Sequence, residues 1–253
     1  MKLRVLGSSG AEFPNFNPPG FLIDGCIMLD AGTIGAVLKE REQWDIRHIF
    51  ITHAHLDHIK AIPFLADNLI LKNKKHSVTV ISLSAVLKTI KGNLLNGTIW
   101  PDFTRIPPEN PVIRLKAIQA GRHIRLNRYM ITAYMVNHSV PAVGYIVRDT
   151  FSSLLYTGDT GPTNAIWKNA KNNPVNTVIV EVSFPNSMSD LAVKTGHLTA
   201  SLLKEELKKL GYLPKRILIT HPKPQYYARI KTELDKLKIK GLSILRDEKT
   251  YEV

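Results

Sequence analysis

Residues 50–59 read FITHAHLDHI. An apolar run ends, and His53, His55, Asp57 and His58 follow within six positions. Neutral imidazole and carboxylate are ligands for zinc, manganese and iron. His53 and His55, two apart in an extended turn, can grip one ion. Asp57 and His58 are adjacent, project elsewhere, and suit a second. The same placement recurs downstream: His138 follows MITAYMVN, Asp159 follows LLYTG, Glu181 follows TVIV, and His221 follows RILIT. Carboxyl ends of strands are where open α/β sheets bind ligands. One polar residue at such an end is ordinary, as a cap or an exposed side chain. Several beside the HAHLDH cluster argue together for a metal centre. Asp159 has two oxygens and can bridge. One ion would then take His53, His55, His138 and Asp159, and the other Asp57, His58, Asp159 and His221. Paired ions of this kind sit about 3.5–4 Å apart and share an activated water.

The elements that must position these residues are visible as short apolar runs bounded by turn residues. They cover 3–6, 21–23, 27–29, 49–51, 78–81, 130–134, 145–147, 154–156, 178–180, 217–219 and 242–245. Such runs read as strands. TASLLKEELKKLGY carries leucine at 202, 203, 207 and 210, with Gly211 where a helix ends. YARIKTELDKLKIKG behaves similarly. GAVLKEREQW and IKAIPFLADNLILK are further helices, the second starting near Ala61 with Pro63 in its first turn. The N-terminal half reads as mostly strands and the C-terminal half as strand alternating with helix. The fold class is α+β or α/β, sheets inside and helices outside. No repeat or Gly/Ser linker divides the chain, so 1–253 is expected to be a single domain.

Composition excludes several function classes. Hydrophobic content of 44% and charged content of 22% are those of an ordinary globular protein. No apolar run reaches the length of a membrane span. MKLRVLGSSG reads as a first strand and glycine turn, not a secretory signal, so a cytoplasmic location is expected. The single cysteine, Cys26, rules out an intramolecular disulfide and a multi-thiolate zinc site, and is expected in the core. The net charge of +13 draws anions such as nucleotides, nucleic acid or anionic lipid. Its densest stretch, RLKAIQAGRHIRLNR, holds Arg114, Lys116, Arg122, Arg125 and Arg128. It reads as a solvated strand pair, or else as a surface for a phosphate backbone.

HAHLDH, His138, TGDT and LITH, in that order, resemble the metallo-β-lactamase superfamily, over nearly the whole chain from LGSSG to His221. The resemblance implies a four-layer αββα sandwich with a dinuclear site on its edge. The commonest lactamases put cysteine where Asp159 stands, and flavo-di-iron proteins put glutamate where His55 stands. Phosphoester hydrolysis is therefore favoured over lactam or redox chemistry. VIVEVSFPN followed by KTGHLTASLLKEEL is similar to class II 3′,5′-cyclic-nucleotide phosphodiesterases, as are LYTGDTGP and NPPGFLIDGCIMLDAGTIG. The nuclease tRNase Z, with a related Glu and Gly-His pair, is the alternative, and net charge favours it. Against it, DAGTIG replaces the expected Gly-Glu-Gly-Thr-Gln, and no Gly/Pro-rich insertion would grip tRNA. KAIPF after HLDHI departs from the Gly or Ser and aliphatic run usual in the phosphodiesterases.

The resemblance implies a metal-dependent phosphodiesterase acting on cAMP or cGMP to give 5′-monophosphates, and under the alternative an endoribonuclease. The cofactors would be two divalent ions, zinc by default, with manganese or iron on the same ligands. The partners would be a small nucleotide, or RNA under the alternative, and a second copy in a homodimer. Asp57 would orient the attacking water. His197 would protonate the leaving 3′ oxygen, with Glu181 holding its ring. A metal or nucleotide sensor without turnover is a third reading, and the complete ligand set argues against it. TIWPDFTRIPPENP is expected as a rigid loop, or one that overhangs the site or joins a dimer. Lys223 is expected near the site, on an anionic substrate or in solvent. Trp44, Trp100 and Trp167 belong in or near the core, while His48, His76 and His123 are structural or exposed.

Overall fold

The computed structural model describes residues 1–72 and 76–253. Its first sheet contains β1 (Lys2–Gly7), β2 (Gly20–Ile23), β3 (Ile27–Leu29), β4 (His48–Phe50), β5 (Val78–Leu83) and β6 (Ile113–Ile118). The second contains β7 (His123–Leu126), β8 (Tyr129–Met135), β9 (Val143–Arg148), β10 (Ser153–Tyr156), β11 (Thr177–Glu181), β12 (Arg216–Thr220) and β13 (Leu242–Ile244). β14 (Thr250–Glu252) returns to the first sheet and pairs antiparallel with β1. The strand orders are β14-β1-β2-β3-β4-β5-β6 and β13-β12-β11-β10-β9-β8-β7. β3 to β6 run parallel, as do β10 to β13.

Side chains alternate across a strand, so each central strand feeds two cores. Phe50 and Ile81 point between the sheets, with Leu3, Phe21, Tyr145, Tyr156, Ile179 and Leu218. Their neighbours Ile49 and Val80 point outward, onto the helix layer of the first sheet. Val178 and Val180 likewise face outward from the second sheet, toward Trp167, Leu203 and Ile230. The helices are α1 (Glu40–Trp44), α2 (Leu56–Ile59), α3 (Ala61–Lys72), α4 (Ser84–Thr89), α5 (Ala165–Asn172), α6 (Ser189–Thr195), α7 (Ala200–Lys208) and α8 (Tyr227–Lys236). α3 and α4 cover the first sheet, and α5, α7 and α8 the second. The four layers are helix, sheet, sheet, helix, the αββα order that the resemblance implies.

α3 starts at Ala61 with Pro63 in its first turn, as expected. Four expectations are corrected. The basic stretch is not a strand pair: β6 pairs β5 at one edge of the first sheet, and β7 pairs β8 at an edge of the second. The chain crosses between the sheets through the turn at 119–122, where Arg122 N–H donates to the Gln119 carbonyl. GAVLKEREQW is helical only over Glu40–Trp44. The N-terminal half is not mostly strand, because α1 to α4 lie in it. Cys26 is half-buried in the turn between β2 and β3, against the edge of the inter-sheet core. Trp167 is buried, while Trp44 and Trp100 pack partly buried on the outer core. Among the described residues, no helix is long and apolar enough to cross a membrane.

Candidate metal centre

The parallel strands aim their carboxyl ends at one place. His53 lies three residues beyond β4, and its side chain is fully buried. Thr52 Oγ1 stands 3.0 Å from His53 Nδ1 and 2.9 Å from Asp30 Oδ2. A hydroxyl has one proton, which it donates to the carboxylate while accepting from the imidazole Nδ1–H. His53 Nε2 is thereby left with a lone pair facing the centre. His58, on α2, donates Nδ1–H to Asp30 Oδ2 at 2.7 Å, freeing its own Nε2. Asp30 also accepts from Thr52 N–H at 2.7 Å and from the Tyr156 hydroxyl at 2.7 Å. One buried carboxylate therefore sets two imidazoles. Asp30 is absent from the sequence-derived site, although it follows β3 as His53 follows β4.

His138 donates Nδ1–H to the Gly196 carbonyl at 2.8 Å, and its Nε2 stands 3.2 Å from His55 Nδ1. Gly196 ends α6 at φ +73°. A Cβ there would meet His138 Cα at 2.8 Å, so glycine serves both the turn and the contact. His221 follows β12 at φ +64°, a conformation sparsely used by non-glycine residues. Its backbone N–H donates to the Ser8 carbonyl at 2.6 Å. Its Nε2 lies 3.2 Å from Asp159 Oδ2 and 3.3 Å from Asp57 Oδ2. Asp159 sits between the groups: its Oδ1 is 3.4 Å from His58 Nε2, and its Oδ2 is 3.8 Å from His53 Nε2.

Beside this cluster, His197 Nδ1–H donates to Glu181 Oε1 at 2.7 Å. Ser183 Oγ donates to Glu181 Oε2 at 2.7 Å and stands 2.9 Å from His221 Nδ1. Ser183 is a second residue that the sequence did not single out, although it lies inside EVSF. Lys223 Nζ donates to the Gly10 carbonyl at 3.2 Å and lies 5.5 Å from the Phe184 ring, beside His197. His123 is exposed, and His48 and His76 are half-buried away from the cluster.

Burial holds the His53 ring well below its ordinary pKa, and the His58 charge adds to this. Burial works the same way on His58, but the Asp159 and Asp30 carboxylates outweigh it and push that ring well above. Burial would raise Asp159, yet the imidazoles of His221, His58 and His53 hold it well below the carboxylate range. Burial opposes charge on His197 too, but Glu181 pushes it up to about 9.

Whether this cluster fits a cation can be judged from its donors. His53–His55–His138, His53–His58–Asp159 and Asp57–His58–His221 each offer ligand atoms within 4.8 Å of one another. The buried His53 Nε2 and His58 Nε2 have no hydrogen-bond partner among the described residues. Buried polar atoms are nearly always paired, so two orphans aimed at shared carboxylates mark a place for a cation. A cation there would take the place of the proton on His58.

The beta-lactamase superfamily domain model matches residues 24–221, well over half of the chain. A probable 3′,5′-cyclic-nucleotide phosphodiesterase of Yersinia pestis is 26% identical over 209 residues, 72% of this chain and 58% of its own length. A ribonuclease Z of Pyrococcus abyssi is 28% identical over 158 residues, 59% of this chain and 48% of its own. The chain thus spans about half the length of these two curated relatives. The crystal structure of unliganded yeast PDE1 superposes with a TM-score of 0.85 at 18% identity, covering 100% of this chain and 99% of that one. The chain belongs to this superfamily and has the metallo-β-lactamase fold, and its histidine and carboxylate clusters fit the divalent-metal binding that the fold implies.

Proposed function

We propose that the chain is a two-metal phosphodiesterase that hydrolyses 3′,5′-cyclic nucleotides such as cAMP or cGMP to 5′-monophosphates. The observation that carries phosphodiester hydrolysis is the His197–Glu181 pair, 2.7 Å apart, set beside the histidine and carboxylate cluster, and the relative from Yersinia pestis favours the cyclic substrate. His53, His55, His138 and Asp159 would hold one ion, and Asp57, His58, Asp159 and His221 the other. Zinc is the first choice for such ligands, and manganese or iron is acceptable to them. Bound ions of this kind supply Lewis acidity at the phosphate oxygens and an activated water.

The remaining work falls to side chains. Asp57, held well below the carboxylate range by its His221 contact against the opposing effect of burial, stays an acceptor that orients the attacking water. His197 presents its free Nε2–H to the departing 3′ oxygen. Glu181 keeps that ring protonated and aimed. Both His197 and Glu181 are catalytic assignments on this reading, Glu181 through the ring it holds. Residues 1–253 would work as one domain, in the cytoplasm, as a homodimer.

A ribonuclease Z-like endonuclease is the second reading, favoured by the relative from Pyrococcus abyssi and by the net charge of +13. Both readings break the bond between phosphorus and a ribose 3′ oxygen. Purified, metal-loaded protein should be incubated with cAMP, cGMP and a precursor tRNA, with bound metal quantified in parallel. Turnover of a cyclic nucleotide with two ions per chain is the expected result. Clean tRNA cleavage with no cyclic-nucleotide turnover would overturn it in favour of the second.

A further inference from the structure

A cavity of about 420 Å³ lies beside the cluster, within the range of small-molecule sites. Three parts of its lining adjoin residues of the centre. Lys60 and Ala61 follow directly on α2, which carries Asp57 and His58. Gly32 rests on the backbone of Asp57, so that a Cβ there would lie 1.9 Å from the Asp57 carbonyl oxygen. Glu12 belongs to the loop whose Gly10 packs on His221, where a Cβ would lie 2.7 Å from His221 Nδ1. Only glycine permits either approach.

A further wall comes from one face of α3, where Phe64 and Asn68, spaced four apart, project side by side. Phe64 is 57% exposed, an unusual position for a phenylalanine. Its ring meets Trp100 edge-on at 5.1 Å and 63°, which leaves a ring face for stacking. Lys60 pairs with Glu12 across the rim at 2.6 Å. Asn68 is held in one orientation by a relay. Gln43, only 4% exposed, donates Nε2–H to the Leu38 carbonyl at 2.9 Å. Its Oε1 must then accept, and it accepts from Asn68 Nδ2 at 2.8 Å. The Asn68 amide is thereby fixed with its carbonyl oxygen as the remaining acceptor.

We propose that this cavity receives the base of the substrate, with Phe64 stacking on the ring and Asn68 Oδ1 selecting a purine that carries an exocyclic amino group. The inference rests on the nucleotide reading above and deepens it. A fixed acceptor is satisfied by adenine or guanine and left unpaired by a purine without an amino group. An unpaired buried acceptor weakens binding by about tenfold to a hundredfold.

The test compares cAMP and cGMP with the cyclic phosphate of purine riboside, which lacks every exocyclic group. The wild type should favour at least one amino-bearing nucleotide in kcat/KM by that factor. Asn68→Ala should bring the ratio close to one, and Phe64→Ala should raise KM for all three. Calorimetry with the three 5′-monophosphates reads the same preference without turnover. A failure of the phosphodiesterase reading therefore shows as absent hydrolysis, separate from this result. Equal binding of the three by the wild type, or a preference that survives in Asn68→Ala, would overturn the proposal.

Discussion

At the scale of single residues, the centre depends on groups that touch no substrate. Asp30 holds His58 directly at 2.7 Å and reaches His53 through the Thr52 hydroxyl. Such outer partners fix tautomer and ring direction, and their loss typically lowers metal affinity about 10–100-fold. Asp30→Asn should show that loss in a competition titration with a chromophoric chelator, and an unchanged affinity would refute the role. His197 gives a pH prediction. Its pKa, about 9 in the fold, stands above the ordinary 6.5, so its pairing with Glu181 contributes fully below that value and fades as pH rises through about 9. In the metal-free protein its imidazole NMR signals should titrate near pH 9. In Glu181→Gln only the Asp159 charge still opposes burial, and the midpoint should fall well below 9. On the proposed function, His197→Ala should lower kcat about 10²–10⁴-fold with metal content intact, checked by steady-state kinetics and metal analysis.

At the scale of elements, the parallel strands and the ligands at their carboxyl ends were legible because two physical patterns coincide there. A strand buried on both faces reads as an unbroken apolar run, and the polar residue that ends it stands out. The same rule applied to Ile27–Leu29 would have marked Asp30, whose work lies in hydrogen bonds 22 and 28 residues away in the chain, to Thr52 and His58. The edge strands were less legible. β7 alternates exposed and partly buried residues and β6 does so over Arg114–Lys116, as a hairpin would, and nothing local says that they belong to different sheets. That is a tertiary fact, decided by which core each apolar side finds. The α6 terminus illustrates the same point. Gly196 reads as an ordinary helix stop, yet its missing side chain is also the space that His138 occupies. Gly196→Ala should destabilise the fold by about 1–3 kcal/mol in urea titrations and weaken metal binding as well, since the new methyl pushes on His138. Lost stability with unaltered metal affinity would separate the turn from the contact.

At the scale of the whole molecule, the charge of +13 discriminates between the two functional readings. A folded RNA would engage many phosphates, and its affinity would fall by orders of magnitude between about 50 and 200 mM salt. A cyclic nucleotide carries one charge, so its KM should change by no more than a few-fold over that range. Steady-state kinetics at both salt concentrations reads this directly. The edge arrangement gives the molecule a further property. The path leaves the first sheet in the turn at 119–122 and comes back to it only as β14. A backbone cut in that turn would put His53, His55, Asp57 and His58 on one peptide and His138, Asp159 and His221 on the other. Neither peptide would carry a full chelating set. β14 would still clasp β1, and the core between the sheets, built from both peptides, would hold the halves together. Chelation would then require the two peptides to stay joined, so metal affinity of the severed protein should vanish at the urea concentration that separates them.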